Sequence, residues 1–506
     1  MDAFGHLAGG FAVALAPLNL LLALCGSVAG TAIGALPGLG PLNAIALLLP
    51  LVFALKLPPE SALILLAAVY YGSGYGGRIA AILLNMPGEP AAVLTTLDGH
   101  PMARAGRGGA ALAISGIGSF AGATLSVVLL TFLSVPLSRA AVGFSPADYV
   151  ALIGFALSLL GAVAAGNAAK TWAAACLGLL LAMVGIDGGT GVERFTFGTV
   201  ELLGGIDFTV LAIGLFAVSE ILLLLESPVA AAASHLGHGA RLTLAEIRRC
   251  VPTMLRSTGI GFVIGVLPGA GASIAAALSY STEKRLNERD GTFGRGDVRG
   301  VAAPETADNA AQIGNMVPML ALGIPGSGTT AVLLGALLMY NITPGPLLFT
   351  QRPEVAWGLI ASMYVGNVML LVLNLPLVGL FARLLMVPAW ALYPLVIALS
   401  FAGVYAASNS STDLLLAVGF GVAGWMFRKL GVPLVPIVLG FVLGRLLEDN
   451  LRRALSLSDG DPMILLASPV SVVLWALTLT AILWPVIGLW KARGAAPGAP
   501  PGCPPG

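Results

Sequence analysis

The chain of 506 residues is 57% hydrophobic and only 10% charged, with a mean hydropathy of +0.94, whereas a soluble domain carries about 25% charged residues. That balance excludes an ordinary soluble protein and describes a polytopic membrane protein. A formal net charge of +1, from 25 Lys+Arg and 24 Asp+Glu, offers no basic surplus for nucleic acid, which leaves the lipid bilayer as the one partner that composition names.

Each crossing takes about 20 apolar residues, so the apolar runs accommodate about 12–14 hydrophobic segments of an all-α chain, some too short or too broken to span simply. No Lys or Arg precedes the first run, which argues against a cleaved signal peptide, and Phe11 to Leu36 reads as the first membrane helix. Gly26, Gly30, Gly34 and Gly38 recur at every fourth position, a smooth stripe along which a neighbouring backbone can approach. The run YYGSGYGGRIAAILLNMPGE from Tyr70 then puts glycines, Arg78, Asn85, Pro87 and Gly88 into an otherwise apolar stretch. Glu220 and Glu226 end a later apolar run, where interfacial placement is the expected reading and proton relay the alternative. The four cysteines, Cys25, Cys176, Cys250 and Cys503, stand singly and no His has ligand spacing, so neither a metal site nor a disulfide framework is expected. His6, His100, His235 and His238 fall in predicted loops and carry no assigned chemistry.

The chain also repeats itself. GTAIGALPGLGPLNAIA from Gly30 superposes on GIGFVIGVLPGAGASIAAA from Gly259 with Pro37 on Pro268, an offset of 231 residues. Downstream, ILLNMPGE from Ile82 matches LALGIPGS from Leu320 with Pro87 on Pro325, an offset of 238, and the charged loop from Glu283 to Gly300 accounts for the extra residues. The organisation that follows is a first membrane repeat over 1–235, a polar linker over 236–250, a second repeat over 251–490, and a Pro/Gly-rich tail over 491–506 that reads as disordered. Arg241, Arg248, Arg249 and Arg256 near the linker, and Lys491 and Arg493 at the far end, place linker and C-terminus in the cytoplasm and the N-terminus in the periplasm. The two repeats are then inverted.

Proline removes a backbone donor and glycine permits positive φ, so each Pro-Gly step breaks a helix and frees polar backbone groups. In hydrocarbon such groups persist only where protein or a watery cavity satisfies them. Breaks at matching positions of two repeated halves are the sequence sign of a secondary-transporter binding site, and helix N-termini facing it suit an anion such as a carboxylate. The expected substrate site comprises Gly38, Asn43, Arg78, Asn85, Pro87, Gly88, Gly269, Ser273, Pro325, Gly326, Ser327, Thr329 and Thr330. Arg78 is its expected anchor, because a guanidinium binds a carboxylate through two parallel hydrogen bonds; its alternatives are snorkelling and a structural pair with an acid such as Glu89. Asn43, Asp308 and Asn309 offer oxygen ligands for a coupling ion, with helix capping as the other use of Asp308 and Asn309. Ser327, Thr329 and Thr330 supply hydroxyls to a carboxylate or cap a helix, and Asn43 and Ser273, nearly repeat-equivalent, serve a ligand or a turn.

Intramembrane catalysis and ion conduction are the competing functions, but the chain lacks GxSxG, HExxH, a P-loop and a repeated carbonyl-filter motif. The ordered set LPGLGP, ILLNMPGE, TTLDGHPMARAGRGGAAL, GIDGGTGVERFTFG, GVLPGAGASIA, LGIPGSGTTAVLLGAL and TPGPLLF, from about Leu20 to about Pro469, resembles the large membrane subunit of tripartite tricarboxylate transporters. The resemblance implies a bacterial inner-membrane permease without a cofactor, which works with a small membrane subunit and a periplasmic solute-binding protein. It further implies carboxylate uptake driven by a sodium or proton gradient. Against the family pattern, Arg78, Ile79 and Ala80 replace a Ser-Thr-Thr run, Asp308 precedes Asn309 in place of an asparagine, and Ala92 stands where serine is common.

Overall fold

Prolines open the early helices, since a first helical turn has no use for the N–H that proline lacks. The computed structural model describes residues 3–36, 39–162, 167–226, 242–269, 271–288, 291–377, 380 and 389–494. After a short α1 (Ala3–Ala14), α2 (Pro17–Ala35), α3 (Pro41–Ala54) and α4 (Pro59–Leu84) each begin on proline. The single helix expected from Phe11 to Leu36 is therefore two, because Pro17 disfavours helical geometry at the residue before it and Ala16 is extended (φ −57°, ψ 139°). α5 (Ala92–Met102) meets the long α6 (Gly108–Val142) across a kink at Gly106 (φ 78°, ψ 8°), followed by α7 (Pro146–Ala162) and α8 (Ala168–Ala182).

Gly185–Ile186 and Glu193–Arg194 pair antiparallel as β1 and β2, the only strands among the described residues. α9 (Phe208–Ala212) continues through a π-helical turn into α10 (Ser219–Glu226). The second half holds α11 (Leu244–Val266), α12 (Gly271–Asn287), α13 (Val298–Gly314), α14 (Met316–Leu322), α15 (Gly328–Met339) and α16 (Pro353–Asn374). It closes with α17 (Ala389–Ser408), α18 (Ser411–Lys429), α19 (Val435–Leu457) and α20 (Pro469–Gly494).

The chain is thus an all-α, multi-pass membrane protein. Four helical segments among the described residues, Pro17–Ala35, Ala92–Val142, Phe208–Glu226 and Pro353–Asn374, are long and apolar enough to cross a bilayer. α11 starts inside the stretch read as linker, under a capping box of Thr243 and Glu246. Residues 491–494 of the stretch read as tail belong to α20, and 495–506 lie outside the described residues. Histidine placement also differs from expectation: His6 is on α1, stacked 5.8 Å from Trp357, and His100 is on α5, while His235 and His238 lie outside the described residues.

Small residues set the helix packing. α2 lies along α4 and α11 along α13. A Cβ on Gly30 would stand 2.4 Å from the Val69 carbonyl oxygen, and one on Gly34 2.1 Å from that of Ser73. In the second half a Cβ on Gly261 would meet the Ala307 oxygen at 2.3 Å, and one on Gly265 the Ala311 oxygen at 2.4 Å. These contacts recur at the offsets of the sequence repeat, so the repeat is one of backbone packing as well as of motifs. Gly265→Ala is accordingly expected to lower the thermal midpoint of the purified protein, by overpacking worth about 1–3 kcal/mol. Gly259→Ala, with nothing within 4 Å of the new methyl, should be neutral or stabilise by about 0.4–1 kcal/mol.

The two halves are tied together at Asp98 on α5. Its Oδ1 accepts from the backbone N–H groups of Gly294, Gly296 and Asp297, each at 2.8 Å, and Tyr280 donates to Oδ2 at 2.9 Å. Elsewhere the β-hairpin is clipped to α19 by Arg194 with Glu448 at 2.7 Å and Arg452 with Asp187 at 2.8 Å.

Candidate functional site

The helix interruptions meet in pairs. In the second half, Gly269 (φ +81°) donates its N–H to the Gly326 carbonyl at 2.9 Å, so the break after α11 is bonded to the break after α14. In the first half, a Cβ on Gly40 would lie 3.2 Å from the Gly88 oxygen, which sets the start of α3 against the break after α4; Pro37 and Gly38 lie outside the described residues. The ends of α4 and α14 are built alike. Asn85 (φ 57°) and Gly323 (φ 73°) each terminate their helix in the left-handed region, with cap N–H groups bonded to Ala80 and Pro318. Asparagine tolerates that backbone conformation and glycine adopts it freely.

Between the paired breaks lies a cavity of about 350 Å³, within the size range of small-ligand sites. Of the residues expected from sequence, Asn43, Gly88, Gly269, Ser273, Ser327 and Thr329 line it. Four helix N-termini line it, those of α3 at Pro41, α12 at Gly271, α15 at Gly328 and α19 at Val435. Ser327 and Thr330 form a capping box on α15, so these hydroxyls also perform the capping that sequence offered as their other use. Asn85, Pro87, Pro325, Gly326 and Thr330 shape the breaks without lining the cavity.

Sequence reasoning missed Tyr70, Gln312, Asn315 and Arg428, which also line the cavity, together with Glu89 and Glu220. Arg428, in the last turn of α18, pairs with Glu220 of α10, and Asn43 reaches the same Glu220 carboxylate at 3.5 Å. Glu220 is therefore buried at the cavity wall rather than interfacial. Glu226, by contrast, is exposed and paired with Lys429 at 2.6 Å. An acid inside an apolar run was the signal for Glu220. Arg428 gave none, because a basic residue in the last turn of an apolar helix reads as an ordinary snorkelling side chain.

Arg78 does not line the cavity. It is 2% exposed, donates to Ser119 at 2.8 Å, lies 3.9 Å from the Glu305 carboxylate and sits 4.0 Å over the Tyr75 ring. Its acid is thus Glu305, not Glu89. Glu305 further accepts from Thr95 at 2.6 Å, Ser115 at 3.1 Å and Ser119 at 3.3 Å. Asn309 serves the same network, donating to Ser119 and to the Glu305 carbonyl. Asp308 stands in the middle of α13, so it does not cap a helix start; Asp297 has that role. It accepts from Gln312 at 3.1 Å. Among the described residues no group of three or more His, Cys, Asp or Glu is arranged around a metal.

Residues 20–439 match the model of the tripartite tricarboxylate transporter TctA family. An uncharacterized 52.8 kDa protein in the TAR-I ttuC' 3' region of Agrobacterium vitis is 40% identical over 488 residues, covering 95% of this chain and 96% of the relative. An uncharacterized protein in the TAR-II ttuC' 3' region of the same organism is 40% identical over 223 residues, covering 44% of this chain and 92% of the relative. No solved structure matches the chain.

Proposed function

Because the chain belongs to the tripartite tricarboxylate transporter TctA family, we propose that it is the permease subunit of a binding-protein-dependent secondary transporter that takes up carboxylates across the bacterial inner membrane. The observation that carries this reading is the convergence of four helix N-termini and the Arg428 guanidinium on one cavity. Each N-terminus presents partial positive charge and N–H groups without helical acceptors, and Arg428 adds a planar donor fork whose charge is balanced by its pair with Glu220. That combination suits an organic acid and needs no covalent chemistry, which fits a transporter component rather than an enzyme or a channel. A sodium or proton gradient drives the cycle, a periplasmic solute-binding protein delivers substrate, and a small membrane subunit completes the complex.

The test is uptake by proteoliposomes containing the complete complex, under separate sodium and proton gradients, against mono-, di- and tricarboxylates. Saturable, gradient-dependent uptake that disappears when the binding protein is withheld is the expected result. Gradient-independent flux, or full-rate high-affinity uptake by this subunit alone, would contradict it. The repeats are proposed to be inverted, with the N-terminus periplasmic and the 236–250 segment cytoplasmic. Reporter fusions at the two positions should report opposite sides of the membrane.

A further inference from the structure

We propose that Asp308 Oδ1, Gln312 Oε1 and Asn315 Oδ1 form a binding site for a hard monovalent cation, sodium being the probe; the proposal rests on reading the adjoining cavity as the carboxylate site. The three residues stand at i, i+4 and i+7 on α13 and at its end, and so share one face. They are 5%, 1% and 1% exposed, and each of the three oxygens is buried without a hydrogen-bond partner. A buried acceptor left unmade loses its hydration for nothing in return, so one face of one helix carries three such losses.

The local bonding decides what fills the site. Gln312 Nε2 donates to Asp308 Oδ2 at 3.1 Å, which fixes the amide with its oxygen free. What remains is three acceptors. A cation satisfies all three oxygens at once; a proton on Asp308 together with one water molecule is the competing occupant, and sodium dependence separates the two. Oxygen ligands select a hard ion, and a single carboxylate with two neutral amides matches one positive charge rather than two. Asn315 stands at the interruption between α13 and α14, where Pro318 has no N–H to give the Gly314 carbonyl. A Cβ on Gly326 would lie 2.9 Å from Asn315 Oδ1, which sets that oxygen against the Pro325-Gly326 break.

Of the ion ligands expected from sequence, Asp308 stays in the set. Asn309 and Asn43 leave it, since Asn309 belongs to the Glu305 network and Asn43 reaches Glu220. Gln312 and Asn315 also line the carboxylate cavity. A cation held there lies beside the bound anion, so each raises the affinity for the other by the same factor.

The test uses the purified full chain in nanodiscs, with sodium chloride exchanged for choline chloride at constant ionic strength. Thermal midpoint and binding of radioactive sodium are both read. The wild type is expected to show a saturable, sodium-dependent rise in midpoint and saturable sodium binding. Asp308→Asn and Asn315→Ala should each weaken apparent sodium affinity by at least about tenfold, since ligand charge and number set cation affinity. Asp459→Asn, on an exposed turn, should change nothing. Sodium affinity unaltered in both site variants, or no sodium binding by the wild type, overturns the proposal. Carboxylate uptake that needs only a proton gradient overturns it too, yet leaves the carboxylate reading standing. Sodium binding in a protein that takes up no carboxylate supports the site and defeats the functional reading instead.

Discussion

Replacing Arg78 with methionine is expected to destabilise the folded protein by about 3–5 kcal/mol, the cost of stranding a buried charge, while the apparent substrate affinity of the folded fraction stays unchanged. Arg78 and Glu305 are 3% and 5% exposed at the side chain. Ser119 joins them, accepting from Arg78 at 2.8 Å and donating to Glu305 at 3.3 Å. Without the guanidinium, the Glu305 carboxylate keeps only the hydroxyl donors of Thr95, Ser115 and Ser119 in a buried site. Removing both charges, as Arg78→Met with Glu305→Gln, should recover much of the loss, because a buried pair is commonly replaced by neutral groups at little net cost. Arg78→Lys should recover less than the double change, since an ammonium lacks the planar surface stacked on Tyr75. Thermal midpoints in detergent and the half-saturating substrate concentration for uptake measure the two quantities separately. A loss of affinity of more than about tenfold with an unchanged midpoint would return Arg78 to the substrate site.

Arg78 also marks where sequence reasoning runs out. A charge among glycines in an apolar run signals expense, and expense is shared by ligand sites and structural pairs alike. What separates the two is the partner. Glu305 belongs to the other half of the chain, on α13, and no local pattern ties it to Arg78. The interruptions were legible for the opposite reason, because Pro-Gly steps act on their own backbone and recur in both halves. Local chemistry accordingly located Asn43, Gly88, Gly269, Ser273, Ser327 and Thr329 at the cavity. Its far wall, built from Glu220 on α10 and Arg428 on α18, depends on how two helices outside the matched motifs pack together. The glycine stripes were legible as packing surfaces, but the helices they would meet became visible only with the fold. Even the first helix depended on a local rule that hydropathy overrode, since Pro17 splits a run that is apolar throughout.

The cation that chooses the ligand is expected to be Arg428, and Arg428→Gln should weaken carboxylate affinity by about 10- to 150-fold. A hydrogen bond to a charged group contributes about 1.5–3 kcal/mol, and about 1.4 kcal/mol is a factor of ten. The effect of the single change runs toward the upper end, because Glu220 loses its cationic partner and confronts the incoming anion with an uncompensated carboxylate. Arg428→Gln combined with Glu220→Gln removes that repulsion and should bind more tightly than Arg428→Gln alone, though still below the wild type. Arg428→Lys keeps the charge without the fork and should fall between wild type and Arg428→Gln. Ser327→Ala is the comparison: losing its cap on α15 costs about 0.5–2 kcal/mol of stability, and losing one neutral donor costs only about 0.5–1.5 kcal/mol of affinity. Equilibrium binding of a labelled carboxylate to the purified variants, alongside their thermal midpoints, separates these cases. Should the double variant bind as tightly as the wild type, the anion is held by the N–H groups of α3, α12, α15 and α19 and by neutral side chains, and Arg428 serves only to hold Glu220 in the wall.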